Sequence, residues 1–406
     1  MHDAVVLSVG MFIFLLYSAA KINYKSPLFY VTLFYFSFMM IGTVMFSEIR
    51  NAPEKEDIVG IVVNAYLFML LGYIFIKSIS FYFLRSSASQ KVHGDMIIRD
   101  GFYLVVIVGV LTWFLLFIIH GSIPLFSADI EKGRFLFWKG TSVFRILAIS
   151  LHMAALYYMF FALKLNKKRY LIRAYMLSSI IFSFHLMSGF RAPAILFIVQ
   201  IIILKAFFHD RNNIEIFSNV VKILTGLFIL SFWVFAFGAF RRYGYISIEN
   251  TLQEASIVLT ARPAAFDMVM KYVTEYRYGE TYIQNLMQLL PGTQVTANMQ
   301  LKDEMFGGSE NMQYMAGINP SILGEFYWNF GLPGIYIMSA LYMAILQTVF
   351  EVASRHQNVN TIVFYSIFIS TMSLSILDGV GSKINLLITY MVAYMFVVIS
   401  NKIRLK

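Results

Sequence analysis

Arginines stand where apolar runs begin or end: Arg134 in IEKGRFLF, Arg191 in SGFRAP, Arg241 and Arg242 in GAFRRYGY, and Arg262 in TARPAAF. A guanidinium is a planar fork that stays charged and grips a phosphate or carboxylate with two parallel hydrogen bonds. Several of them facing one cavity would hold a diphosphate and stabilise the negative charge that builds on it as it leaves. In SGFRAP, Pro193 can start a helix beside Arg191 while Gly189 leaves room for a ligand. The competing reading of each arginine is an anchor whose charged head snorkels to a bilayer edge.

One carboxylate stands out. Glu325 is flanked by Phe326, Tyr327, Trp328 and Phe330, and desolvation in such surroundings makes a carboxylate a stronger base, as general-base work requires. Its other reading is the ion-pair partner of one of the arginines. Tyr327 offers a face on which a sugar could stack, although aromatic residues at span ends also form interface belts. Asp378 in DGVGSK reads as a turn residue, and His120, before GSIPLF, as a structural histidine. The chain has no cysteine, which excludes disulfides, thiolate metal sites and a cysteine nucleophile. Its 7 scattered histidines form no HExxH. No phosphate-binding GxxxxGK[ST] loop, no GxSxG and no Asp-x-Asp pair occurs. Neither a metal nor a cofactor is therefore expected.

The elements that position these residues are membrane spans. The 406-residue chain is 59% hydrophobic and 13% charged, too little polar surface for a soluble protein. This predicts an all-α, polytopic integral membrane protein. Runs of about 20 apolar residues fall near 3–20, 28–47, 58–76, 101–119, 143–163, 171–188, 191–208, 220–240, 331–349, 361–377 and 384–400, which makes 11 spans. The alternate connections carry 18 Lys and Arg on one side against 8 on the other, leaving 241–330 aside. The positive-inside rule makes the richer side cytoplasmic. The carboxyl terminus is then cytoplasmic, and the amino terminus lies outside ahead of an uncleaved first span. Three parts follow: spans 1–8 in residues 1–240, a large outward segment over 241–330, and spans 9–11 in 331–406. Within the outward segment, TYIQNLMQLL has amphipathic helical spacing and predicts short helices on the outer leaflet. At its end Asn319 reads as a helix cap with Pro320 at the first helical position and a kink over Gly331–Gly334. The net charge of +10 belongs to this topology; no basic stripe with interleaved aromatics suggests nucleic acid.

Four ordered stretches, GSIPLFSADIEKGRF, SGFRAP, YGETYIQNLMQLLPG and INPSILGEFYWNFGLPGIYI, give the chain a familiar pattern. It resembles the O-antigen polymerase family, the oligosaccharide repeat-unit polymerases of bacterial envelopes. The resemblance implies an inner-membrane glycosyltransferase acting on the periplasmic side without a metal or nucleotide sugar. Its donor and acceptor would be undecaprenyl-diphosphate-linked oligosaccharides in membrane lipid, and a chain-length regulator protein would be a partner. By the same resemblance, Arg191, Arg241, Arg242 and Arg262 would bind the donor and acceptor diphosphates. Two features depart from the family's pattern: members are drawn with an even span count, and an arginine–glycine spacing described for some is missing from the outer loops here.

Two other functions fit part of the pattern. An O-antigen ligase uses the same donor but usually carries a histidine in its large outer loop, and residues 241–330 hold none. A lipid-linked oligosaccharide flippase would place charges mid-span along a central path, whereas the charges here cluster at span ends.

Overall fold

The computed structural model describes residues 25–50, 58–83, 98–127, 142–208, 242–287, 297–306 and 319–403, with short pieces inside 10–21, 133–137 and 226–240. Regular structure among the described residues is helical, with no strand. Eight of these helices are long and apolar enough to cross a membrane, and they coincide with eight of the expected runs. The run at 191–208 forms a shorter apolar helix, while 3–20 and 220–240 lie mainly outside the described residues. The protein is a polytopic all-α membrane protein.

The chain divides into two compact units. The first comprises Met1–Ala88, Arg211–Glu351 and Thr371–Asn385. Its opening helix α1 (Pro27–Tyr35) runs through a π turn (Phe36–Met40) into α2 (Ile41–Arg50). Helix α3 (Ile58–Phe83) is tied to α1 by the Thr32–Tyr66 hydroxyl pair at 2.7 Å and by Tyr35 donating to the Val62 carbonyl at 2.7 Å. These bonds cross between helices in a setting where lipid offers no replacement partner.

Within the segment expected outside the bilayer, three helices form: α8 (Ile248–Tyr272), α9 (Glu280–Met287) and α10 (Ala297–Phe306); the intervening labels α4–α7 belong to the second unit. Ser247 caps α8 by accepting from the Asn250 N–H at 3.1 Å. Pro263 stands inside α8, and a Cβ on Gly42 of α2 would collide with the Leu259 carbonyl. The bare glycine is what lets the two backbones approach. The short α9 buries Thr281 and Asn285 and exposes Ile283, Leu286 and Met287. A helix that hides its amides and presents aliphatic side chains is suited to lie against lipid. Arg277 stitches the start of α9 to α10 through Glu280 at 3.5 Å and Glu304.

Helix α11 (Ser321–His356) carries the backbone break expected near Gly331, whose φ of 68° and ψ of −164° interrupt it. Pro333, one turn after Asn329, has no N–H to offer the Asn329 carbonyl. That carbonyl instead accepts from the Tyr278 N–H at 2.9 Å, and the Trp328 carbonyl from Arg277 at 3.0 Å. The break thus docks the loop leading into α9. Asn319 does not cap α11 as expected: its side chain is engaged elsewhere, and Ser321 Oγ accepts from the Gly324 N–H at 3.4 Å.

The second unit comprises Ser89–Asp210, Val352–Ser370 and Leu386–Lys406. It holds α4 (Asp100–His120), α5 (Ser142–Leu165), α6 (Lys168–Met187) and α7 (Arg191–Phe208). Every residue from Leu151 to Ala162 is buried, as in a helix surrounded by others. On α5, His152 Nδ1 lies 3.0 Å from His185 Nε2 of α6, and its Nε2 lies 2.6 Å from Gln200 Oε1 of α7. Trp113 of α4 donates to the Ala148 carbonyl at 3.2 Å. Helices α12 (Val359–Ser373), the single turn α13 (Ser375–Asp378) and α14 (Val380–Ser400) complete the chain.

Candidate functional site

The tetrapeptide Asp378-Gly379-Val380-Gly381 joins α13 to α14 in the first unit, and it gathers two of the residues singled out from the sequence. Glu325, in the second turn of α11 and 3% exposed, points its carboxylate at the first N–H groups of α14. It accepts from Val380, and from Gly381 at 3.0 Å (Oε1) and 3.2 Å (Oε2). The first turn of a helix leaves N–H groups without intrahelical acceptors, and a carboxylate placed there satisfies them and the helix dipole together. Both flanking glycines are needed for this. A Cβ on Gly379 would lie 2.9 Å from Glu325 Oε2, and one on Gly381 would lie 2.6 Å from Oε1 and collide with Asn285. Gly379 also has φ of 89°, a conformation that side chains disfavour.

At the other end of the tetrapeptide, Asp378 receives three donors. Arg262 Nη2 lies 3.1 Å and Asn319 Nδ2 3.0 Å from Oδ1, while Lys383 Nζ lies 2.5 Å from Oδ2. Asn298 holds Asn319 in turn, donating to its Oδ1 at 2.6 Å. Asp378 is therefore more than the turn residue its sequence context suggested. Asn329, fully buried one turn beyond Glu325, fixes the surroundings. It donates to Thr281 Oγ1 at 2.7 Å and to the Glu325 carbonyl at 2.8 Å, and accepts from the Gly279 N–H at 2.9 Å. Nearby, burial pushes the Tyr282 hydroxyl up from its ordinary pKa, and the Glu325 charge raises it further. The phenol therefore stays neutral beside the carboxylate.

The remaining sequence candidates fall elsewhere. Arg242 pairs with the buried Glu254 through Nε at 3.0 Å. Tyr327 packs edge-on against Tyr276, with ring centroids 6.0 Å apart, and against the cluster of Val269, Ala297, Leu301, Met305 and Trp328. Arg191 is the first residue of α7, in the second unit; its side chain, like the whole of Arg134 and Arg241, lies outside what the structure describes. His120 sets its ring edge-on to Phe137 at 5.6 Å. Sequence reasoning passed over Lys383, Asn319 as a ligand, and Asn329. The available signal was an acid and a base bracketing a GVG turn between two apolar runs; the Arg262 and Glu325 partners are too distant in the chain for spacing to reveal.

Over residues 2–390 the chain matches the family model described as "Putative O-antigen polymerase". No curated protein and no solved structure matches it. The match spans nearly the whole chain and takes in every residue of the Asp378–Glu325 group. With its apolar helices and a buried polar centre, this chain belongs to the O-antigen polymerase family, whose activity is of the glycosyltransferase type.

Proposed function

We propose that the protein joins undecaprenyl-diphosphate-linked oligosaccharide repeat units on the outer leaflet of the bacterial inner membrane. It moves the growing glycan from its lipid diphosphate onto the next lipid-linked unit. A hydroxyl of the acceptor's terminal sugar attacks the anomeric carbon of the donor, and the bond from that carbon to the diphosphate oxygen breaks. The hydroxyl proton passes to the departing diphosphate, so the step balances without a metal or nucleotide sugar. The observation that carries this reading is Arg262, partly exposed and held with a second cation around one carboxylate beside Glu325. Guanidinium groups are suited to meet charge that grows on a leaving diphosphate. We assign Arg262 and Arg191 to the lipid diphosphates of donor and acceptor, Arg134, Arg241 and Arg242 to substrate binding at span mouths, and Tyr327 to the glycan.

The sequence pointed to Glu325 as a general base. With both carboxylate oxygens engaged by Val380 and Gly381, we assign it instead as a positioning residue that holds the start of α14. The outward placement of 241–330, its role as the substrate-facing segment between two sets of spans, and a chain-length regulator as partner belong to the same reading.

The test is reconstitution in vesicles with one lipid-diphosphate-linked repeat unit and excess chelator. A ladder of glycan lengths is the expected product. Activity that appears only with added magnesium or manganese contradicts the mechanism. Transfer only to lipid A core would identify a ligase, and movement of the lipid across the bilayer with no glycan growth a flippase.

A further inference from the structure

Two cations sharing one carboxylate is an unusual arrangement in so enclosed a place. The Arg262, Lys383 and Asp378 side chains are 25%, 11% and 18% exposed. Arg262 comes from the middle of α8 and Lys383 from the first turn of α14. A single carboxylate cancels only one of their charges. Glu325, the other acid at this turn, has its charge met by backbone N–H groups on the far side of Gly379. Asn319 adds a neutral donor to the same Asp378 oxygen as Arg262. The three donors therefore converge on two oxygens borne by one atom, which is also the pattern presented by a phosphoryl group.

We propose that Asp378 is a built-in substitute for the lipid diphosphate. It holds Arg262 and Lys383 in place of that group and yields both to it, making Lys383 a second cationic ligand of the diphosphate. The proposal rests on the function proposed above and adds to it a residue and a device. Diphosphate carries more charge than a carboxylate and matches the two cations better, so exchange is favoured when the lipid arrives. When it leaves, Asp378 reclaims the pair and keeps two neighbouring positive charges from standing uncompensated in a half-buried site. The same exchange speeds product release, because the leaving lipid competes with an attached carboxylate.

Binding of farnesyl diphosphate to the purified full-length protein tests this. Asp378→Asn keeps the shape and removes the competitor, and should bind the probe about tenfold more tightly. Lys383→Gln leaves a neutral Arg262–Asp378 pair that should fold normally, and should bind roughly tenfold more weakly, the effect of losing one charged hydrogen bond. If Asp378→Asn does not yield folded protein, Lys383→Gln alone decides. Unchanged affinity in Lys383→Gln overturns the proposal, and so does unchanged or weaker binding by folded Asp378→Asn. Wild-type polymerisation in the vesicle assay separates the two levels of failure. A protein that polymerises while both variants bind like wild type sinks only the exchange. A wild-type protein that neither binds the probe nor polymerises sinks the exchange and the function beneath it.

Discussion

At Arg191 the phosphate clamp and the membrane anchor make opposite demands on one side chain. A clamp needs the planar fork, which lysine lacks; an anchor needs only a charged head on a flexible stem. Losing one charge-assisted contact that strengthens in the transition state costs ~3 kcal/mol, or about a hundredfold in rate. Arg191→Lys and Arg191→Ala should therefore both leave cells with single-repeat glycan and few long chains, at normal protein abundance. A full ladder of chain lengths from Arg191→Lys contradicts the clamp. Gly381 offers a structural counterpart. An added methyl would press within 2.6 Å of Glu325 Oε1 and collide with Asn285, so Gly381→Ala should cost about 1–3 kcal/mol, the range for overpacking. A melting temperature equal to wild type in detergent would show that the Glu325 contact to α14 does not position that helix.

Among the helices, the His152 cluster ties α5 to both α6 and α7, and the turn between α6 and α7 is the one that presents Arg191. Replacing His152 with leucine leaves His185 and Gln200 facing an apolar side chain. A buried polar group without its partner costs about 1–3 kcal/mol, and measured interhelical bonds in membranes fall below that range, at roughly 0.6 kcal/mol on average. A modest loss of thermal stability is expected for His152→Leu, together with shortened glycan chains; unchanged chain lengths would show that the cluster does not position the Arg191 turn. Most helices were legible in the sequence because apolar runs of bilayer length leave few alternatives. The 25-residue α8 was not. A proline inside a run ordinarily breaks a helix, yet α8 continues through Pro263, whose ring lies close to the bare Gly42 of a helix far away in sequence. The site was half legible for the same reason. Glu325 and Arg262 were conspicuous as charges in apolar surroundings, but their partners at 378–383 are supplied by tertiary packing, which local spacing does not encode. Asn319 illustrates the point: its position suited a cap, and the fold uses its amide to hold Asp378.

For the whole molecule, orientation and direction of growth are the decisive properties. In the proposed orientation α8–α10 face outside the cytoplasm, as the charge bias predicts, and the chain offers no cysteine of its own. A cysteine introduced at the exposed Thr274, just after α8, should react with an impermeant maleimide in intact spheroplasts. Labelling only after lysis would invert the topology and remove the site from its substrate. The central claim is that the growing glycan leaves its own lipid diphosphate and lands on a newly arrived unit. A pulse–chase in reconstituted vesicles measures this directly: chains begun with one isotopically labelled repeat unit are extended with a second label, then trimmed from the end distal to the lipid. Growth by transfer onto the incoming unit puts the second label next to the lipid, so that trimming releases the first label first. Release of the second label first would mean that single units are added to the distal end of a chain that stays on its lipid, and would contradict the account.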